Sequence, residues 1–346
     1  MTAVAKSAGE PRQSQRGTAT LETVGRLAGV SRSTVSRVIN KSPGVSDQTI
    51  AAVNKAIAEL GYVTNHAAKN LATRKALAVT VLVPEDMDRF FGDPFFGSIM
   101  RGIESEIEGT DLVLNMAVAS EGSLEKTIDY LAGGQTNGIL VFSHHSSHRL
   151  ITSLESRVPI VYGGRPIGDP EGKSYVDIDN VEAGRKAGRY LVERGCESVA
   201  VIGGPADMPS SVERQSGLLE VTRAAGREGP IEPADYSAEG GRRAAQRLLQ
   251  SGVPFDGLFA ANDLMARAAV RVFIQAGLRV PADVAVVGFD DSKAAVTDHP
   301  HLTTVRQDVA RQGKWMARLL LQQLDGTHAG PRAITLPTEL IVRESA

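Results

Sequence analysis

Thr20-Leu-Glu-Thr-Val-Gly-Arg-Leu-Ala-Gly-Val-Ser-Arg-Ser-Thr-Val-Ser-Arg-Val-Ile-Asn40 reads as two short helices joined by a tight turn at Gly29. Leu21, Val24, Leu27 and Ala28 recur at helical intervals, and Thr20 suits the N-cap of the first helix. Gly29 suits the left-handed turn that ends it, and Ser31 suits the cap of the second. Val35, Val38 and Ile39 form an inner stripe on that second helix. Arg32, Ser33, Ser36, Arg37 and Asn40 then point outward, with Thr34 at the margin. An apolar face packed on its neighbour, with hydroxyls, arginines and an asparagine facing out, is what a helix needs to read a DNA major groove. Arginine pairs in a bidentate way with guanine, and asparagine with adenine. Taken alone, the motif also fits an ordinary helical hairpin with a solvated face.

Charge distribution separates these readings. The 346-residue chain carries a net charge of −2, yet residues 1–75 hold eleven Lys/Arg against four Asp/Glu. A basic head on an acidic body is the footprint of a DNA-binding module joined to something else. The hydrophobic content of 42% and charged content of 23% are those of a soluble globular chain with room for two or three domains. The single cysteine, Cys196, rules out an intrachain disulfide and fits a reducing, cytoplasmic compartment. Residues 1–17 are polar, lack the apolar core of a signal peptide and read as a disordered leader. No run is long enough to span a membrane.

A third helix follows the motif: Ser46 caps it, Asp47 favours its start, and Ile50, Val53, Ile57 and Leu60 form its stripe up to Gly61. Residues 18–64 therefore form the expected DNA-binding head. Residues 65–75 form a linker of about ten residues, too short for a stable isolated helix. From composition it is either a flexible tether or a helix that orders in a minor groove, with Leu71 as a wedge between base pairs.

Residues 76–346 change pattern. Apolar runs at 78–83, 112–118, 138–142, 159–162, 198–202, 257–260 and 284–288 alternate with helical stretches near 96–108, 123–132, 180–194, 211–225, 239–251, 262–277 and 308–324. Buried strands alternating with helices imply parallel sheets covered on both faces. The alternation is too long for one such unit, so two similar lobes are expected. Ligands would bind at the carboxyl ends of the strands.

Enzymatic and metal motifs are absent: the sequence has no Walker loop, GxGxxG, HExxH, paired cysteines or GxSxG. His144, His145 and His148 cluster after a strand without a nearby acidic or thiol partner, which favours a solvated or cleft-lining loop over a metal site. The Gly pairs at 163–164 and 203–204 could bring backbone close to a ligand or simply make turns. No catalytic residue, cofactor or metal is expected.

At this point the chain resembles the LacI–GalR family of bacterial transcription regulators over residues 20–346. The resemblance rests on Leu-Ala-Gly-Val-Ser-Arg-Ser-Thr-Val-Ser-Arg-Val in the first two helices, and on Ser42-Pro-Gly-Val-Ser46 and Glu59-Leu-Gly-Tyr62 beside the third. It extends through Pro94-Phe-Phe96, Ala261-Asn-Asp263, Gly288-Phe-Asp-Asp291 and Leu302-Thr-Thr-Val-Arg306. It implies an all-α helix-turn-helix head and two Rossmann-like lobes of the periplasmic-binding-protein type, joined by three chain crossings around a ligand cleft. It turns the linker into a hinge helix with Asn65, Ala68 and Leu71 at DNA-contacting positions. It also implies effector contacts from Phe95, Phe96, Arg214, Tyr236 and Asp263, with Ser210 a weaker candidate.

Two departures from the family pattern fall at the cleft. The segment Glu85-Asp-Met-Asp-Arg-Phe-Phe-Gly-Asp93 is longer than the usual loop. Gly163-Gly164-Arg165 replaces Val-Asp-Arg, leaving Arg165 either to contribute or to pair at the lobe surface. No leucine-heptad tail follows Arg343, so a dimer is expected rather than a tail-built tetramer. The implied function is a homodimeric regulator, most simply a repressor. It would bind double-stranded, pseudo-palindromic operator DNA through Arg32, Ser33, Thr34, Ser36, Arg37 and Asn40, under control of a small carbohydrate. A sugar-transport protein and an enzyme on a doubly wound fold are the competitors. The basic head and missing signal peptide argue against the first, the absent motifs against the second.

Overall fold

Thr20 and Thr23 form a reciprocal capping box. The Thr20 amide donates to Thr23 Oγ1 at 2.8 Å and the Thr23 amide to Thr20 Oγ1 at 3.3 Å, satisfying amides that the first turn leaves open. Helix α1 (Leu21–Ala28) therefore starts where the sequence predicts, and Gly29 ends it at φ 69°. Ser31 accepts the Thr34 amide at 3.1 Å and starts α2 (Arg32–Ile39). Ser46 starts α3 (Asp47–Leu60). Val24, Val35, Val38, Val53 and Ala56 make the small core between the three helices. Leu27, expected on the inner stripe, is 47% exposed. The buried face of α1 is centred on Val24 and Gly25, where the helix backbone comes against the Val30 carbonyl, and this turns Leu27 outward.

The computed structural model describes residues 19–40, 42–62, 77–145, 149–328 and 330–346. The chain divides into two compact units, Met1–Thr73 and Arg74–Ala346. The leader at 1–17 and Asn65, Ala68 and Leu71 of the expected hinge lie outside the described residues.

The larger unit begins with β1 (Ala78–Val83), α4 (Met87–Gly92), α5 (Pro94–Ile107), β2 (Val113–Val118), α6 (Glu121–Tyr130), β3 (Gly138–Phe142), β4 (Ile160–Gly163) and β5 (Ser174–Ile178). There follow α7 (Asn180–Glu193), β6 (Val199–Gly203), α8 (Pro209–Ala224), β7 (Glu228–Pro233), α9 (Ala238–Gln250), β8 (Gly257–Ala260), α10 (Asp263–Gln275), β9 (Ala285–Asp290) and β10 (Thr303–Gln307). The chain closes with α11 (Val309–Leu324), β11 (Ala333–Leu336) and β12 (Thr338–Ile341). Two six-stranded sheets result, ordered β11-β5-β4-β3-β1-β2 and β12-β10-β9-β8-β6-β7. All pairs are parallel except β10 with β12. The chain passes from one sheet to the other after β5, after β10 and between β11 and β12, which makes three crossings. Asp179 and Asp308, at two of these crossings, cap the helices that follow by accepting the Glu182 and Arg311 amides.

The central strands β1, β3, β6 and β8 are fully buried, because helices cover both faces of each sheet. Five strands escaped the apolar-run reading. β7 is an edge strand of sequence Glu-Gly-Pro-Ile-Glu-Pro with mixed exposure, β11 and β12 are four-residue edge strands, and β5 and β10 carry Ser, Asp, Thr, Arg or Gln among their residues. No described helix is long and apolar enough to cross a membrane.

Candidate ligand cleft and nucleic-acid face

On the head, Arg32, Ser33, Arg37 and Asn40 are exposed, while Thr34 and Ser36 are half-buried at the margin of the same helix. Local contacts already arrange this face. Arg32 pairs with Glu22 at 3.2 Å, Arg37 Nη2 donates to the Pro43 carbonyl at 2.8 Å, and Asn40 Nδ2 donates to Ser36 Oγ at 3.3 Å. The Arg37 contact ties the reading helix to the loop that leads into α3. Surface pairs of this kind are weak, so a phosphate or base edge can replace them at little cost.

In the larger unit, the strand ends of the two sheets face each other across a cavity lined by side chains of both. Phe95, Phe96, Arg165, Ser210, Arg214 and Tyr236 all line it. Phe95 and Phe96 come from the start of α5, where Asp93 accepts the Phe95 amide at 2.9 Å; their rings meet edge to face. Tyr236 lies over the opposite side in a left-handed conformation (φ 65°), held by Asn262 Nδ2 donating to its carbonyl at 2.8 Å. Gly204 leaves room for that ring: a Cβ there would lie 2.4 Å from Tyr236 Cζ. The Tyr236 hydroxyl is buried and has no hydrogen-bond partner among the described residues.

Arg214 is the electrostatic centre. Nε donates to Asn180 Oδ1 at 2.9 Å, Nη1 donates to the Ala261 carbonyl at 3.0 Å, and the guanidinium lies 3.7 Å from the Phe289 ring centroid. Asp290 sits 3.8 Å away and accepts from Gln307 Nε2 at 2.6 Å. Burial pushes the carboxyl groups of Asp93, Asp177 and Asp290 up from their ordinary range, and the Arg214 charge opposes that rise at each one. Arg214 thus faces all three acids, and Arg89 adds to its effect at Asp93.

Asp263, expected beside Arg214 in the cleft, does not line the cavity. It is the first residue of α10 and is wholly buried, with its carboxylate accepting from Thr304 Oγ1 at 2.7 Å and from the Ser292 amide at 2.7 Å. The cavity aspartate paired with Arg214 is Asp290, at the carboxyl end of β9 and within the Gly288–Asp291 stretch. The strand-end rule points to Asp290 directly, whereas Asp263 opens a helix. Backbone strain marks the same place. Ser143, Tyr236, Asp290 and Asp291 are the positive-φ residues other than glycine among the described residues, and the first three line the cavity. Such conformations cost about 1–3 kcal/mol each and gather where function over-determines the backbone.

The departures resolve into defined structures. Asp86 caps α4 by accepting the Arg89 amide at 2.9 Å, and the helix turns Arg89 into the cavity wall. Gly164 takes φ 102°, which bends the chain after β4, so it serves the turn as well as the lining. Arg165 both lines the cavity and pairs with Glu213 of α8 at 3.7 Å. Arg89 and Asp93, from the segment that departs from the family pattern, line it too, as do Asp177 and Gln307, which no sequence motif marks. Asp177 and Gln307 each stand within two residues of a chain crossing, and that position was the available signal.

Residues 20–65 match the bacterial regulatory proteins, lacI family, and residues 189–346 match the periplasmic binding protein-like domain. The HTH-type transcriptional regulator CelR of Thermobifida fusca is 44% identical, over 94% of this chain and 98% of its own length. The HTH-type transcriptional repressor CytR of Escherichia coli (strain K12) is 31% identical, over 96% of this chain and 97% of its own. Among solved structures, a transcriptional regulator CelR–cellobiose complex shares 41% identity with a TM-score of 0.74, covering 95% of this chain and all of that one. The lac repressor dimer bound to operator and the anti-inducer ONPF shares 26% identity with a TM-score of 0.85, covering 95% and 99%.

Proposed function

Because the chain belongs to the lacI family of bacterial regulatory proteins, and so is a helix-turn-helix transcriptional regulator rather than an enzyme, we propose that it is a dimeric repressor released or retained on its operator by a glucose disaccharide of the cellobiose type. The observation that carries the ligand class is the lining of the cavity. Arg214 and Asp290 can bond to neighbouring hydroxyls, Tyr236 offers a ring face and an unpartnered hydroxyl, and Phe95 and Phe96 offer apolar surface to sugar C–H groups. The relative solved with cellobiose is similar over nearly the whole chain, which favours a disaccharide of that type.

On DNA, Arg32, Ser33 and Arg37 read bases, while Thr34, Ser36 and Asn40 contact bases or phosphates. Two heads on a two-fold axis read the halves of a pseudo-palindrome. Residues 65–75 act as the hinge, with Asn65, Ala68 and Leu71 at the centre of the operator. Exposed apolar side chains fit pairing of two copies: Val113 and Met116 on the edge strand β2, and Val342 beyond β12. The protein works in the cytoplasm, on the nucleoid where operator DNA lies.

Selection of bound fragments from genomic DNA, followed by calorimetry with a panel of sugars, tests the reading. A palindromic consensus together with 1:1 cellobiose binding per protomer is expected. Binding of a purine or an amino acid in place of any sugar would overturn the ligand class.

A further inference from the structure

Beside the cavity lining, polar groups of the two lobes meet at the cleft mouth. His145, just after β3 in the first lobe, has a carboxylate at each ring nitrogen. Nδ1 lies 2.9 Å from both Asp207 oxygens, in the loop after β6 of the second lobe. Nε2 lies 3.1 Å from Glu85 Oε1, in the first lobe. Glu85 Oε1 also accepts from Ser143 Oγ at 2.5 Å, and Arg89 Nε stands 3.4 Å from it. Arg89 itself crosses the mouth: Nη1 donates to the Asp235 carbonyl at 3.0 Å, and the guanidinium lies 5.3 Å from the Tyr236 ring centroid. A carboxylate accepts hydrogen bonds and cannot donate one. An imidazole that bonds two carboxylates must therefore carry a proton on each nitrogen.

We propose that His145 is a positioning residue for effector binding: as an imidazolium it clasps Asp207 of one lobe to Glu85 of the other, and together with Arg89 of the inserted helix it holds the cleft closed. The inference rests on the ligand-cleft reading but concerns His145, Asp207 and Glu85, which close the cleft beside the lining residue Arg89. Among the described residues, the charged groups bonded to the ring include Glu85 and Asp207, with Arg89 behind Glu85.

Burial opposes the imidazolium, but the hydrogen bonds and charges of Glu85 and Asp207 outweigh it and hold His145 above the ordinary histidine range. Opening the cleft removes Asp207 and lowers that value. The clasp therefore contributes fully below the open-state pKa and fades as pH rises through the closed-state one. Cellobiose should bind more weakly at pH 9 than at pH 6.

The test uses the full chain with carbon-13-labelled histidine. The His145 resonance is assigned by its loss in His145→Gln, and its titration is followed with and without Asp207→Asn. Asp207 is exposed enough for its substitution to leave the fold intact. The clasp predicts a wild-type midpoint above the ordinary value of about 6.5, and a fall of about one pH unit, or tenfold in the proton equilibrium, in Asp207→Asn. A midpoint that Asp207→Asn leaves unmoved would overturn the proposal. This arm needs no effector, so it is decided even if cellobiose fails to bind. In the second arm, the cellobiose dissociation constant should rise several-fold between pH 6 and pH 9 in the wild type and stay flat in His145→Gln. An equal slope in both proteins would also overturn it.

Discussion

Two aspartates separate ligand chemistry from architecture. Asp290 faces the cavity beside Arg214, while Asp263 lies behind the wall, bonded to Thr304 and Ser292. Asp290→Asn should therefore weaken cellobiose binding by about 2 kcal/mol, roughly thirtyfold, with little change in Tm. Asp263→Asn should lower stability by about 1–2 kcal/mol, read as a few degrees in Tm, and leave the affinity of the folded protein unchanged. Calorimetry and thermal melts on both variants decide between them; reversed outcomes would restore Asp263 as the ligand residue. On the head, Arg37→Ala should cost about 1–3 kcal/mol on operator and relax preference at one base position. A loss of equal size on random DNA would reduce Arg37 to a phosphate contact and an anchor for the Pro43 loop. At this scale a motif places a residue near the cleft without fixing which way it faces, as Asp263 in Ala261-Asn-Asp263 shows. Phe95, Phe96, Arg165, Ser210, Arg214 and Tyr236 all reach the cavity. The sequence failed for Asp177 and Gln307, which enter through their place beside a crossing, and a crossing becomes visible only when two sheets exist.

Elements hold these side chains in place by close backbone packing. A Cβ on Gly184 of α7 would lie 2.0 Å from the carbonyl oxygen of Arg214 itself, so α7 and α8 touch backbone to backbone at the site. Gly184→Ala must push α8 outward and displace Arg214. We expect a stability loss of about 1–3 kcal/mol and an effector affinity that falls further than in a surface variant of equal Tm. Unchanged affinity would show that α8 can shift without moving its arginine. Caps and apolar runs made most elements legible: Thr20, Ser31 and Ser46 start the head helices where expected, and β1, β3 and β8 begin and end as read. Three of the four edge strands, β7, β11 and β12, were not legible, because an edge strand has no need of a continuous apolar run; β2 was read at 112–118. The inserted segment looked like a long loop. It forms α4, whose Asp86 cap and inward Arg89 follow from local chemistry that composition does not display.

At the scale of the whole molecule, three crossings join the lobes, at Asp179, Asp308 and the short link between β11 and β12, while the cavity and the clasp lie on the opposing strand ends. A ligand that binds across both lobes favours their closed arrangement. If the heads bind operator better in one arrangement, sugar and DNA affinities are coupled by about 1–3 kcal/mol, and each ligand changes the other's affinity by the same factor. The basic head on an acidic body was the sequence's strongest indication of this division of labour, and the two sheets joined by crossings give it a physical basis. The most direct test is the operator dissociation constant of the full chain, measured at fixed salt with and without saturating cellobiose, for the wild type and for Arg214→Met. A change of about 5- to 150-fold is expected in the wild type and none in Arg214→Met, whose operator affinity without sugar stays near that of the wild type. An operator affinity that cellobiose leaves unchanged in the wild type, or shifts equally in Arg214→Met, would contradict this coupling.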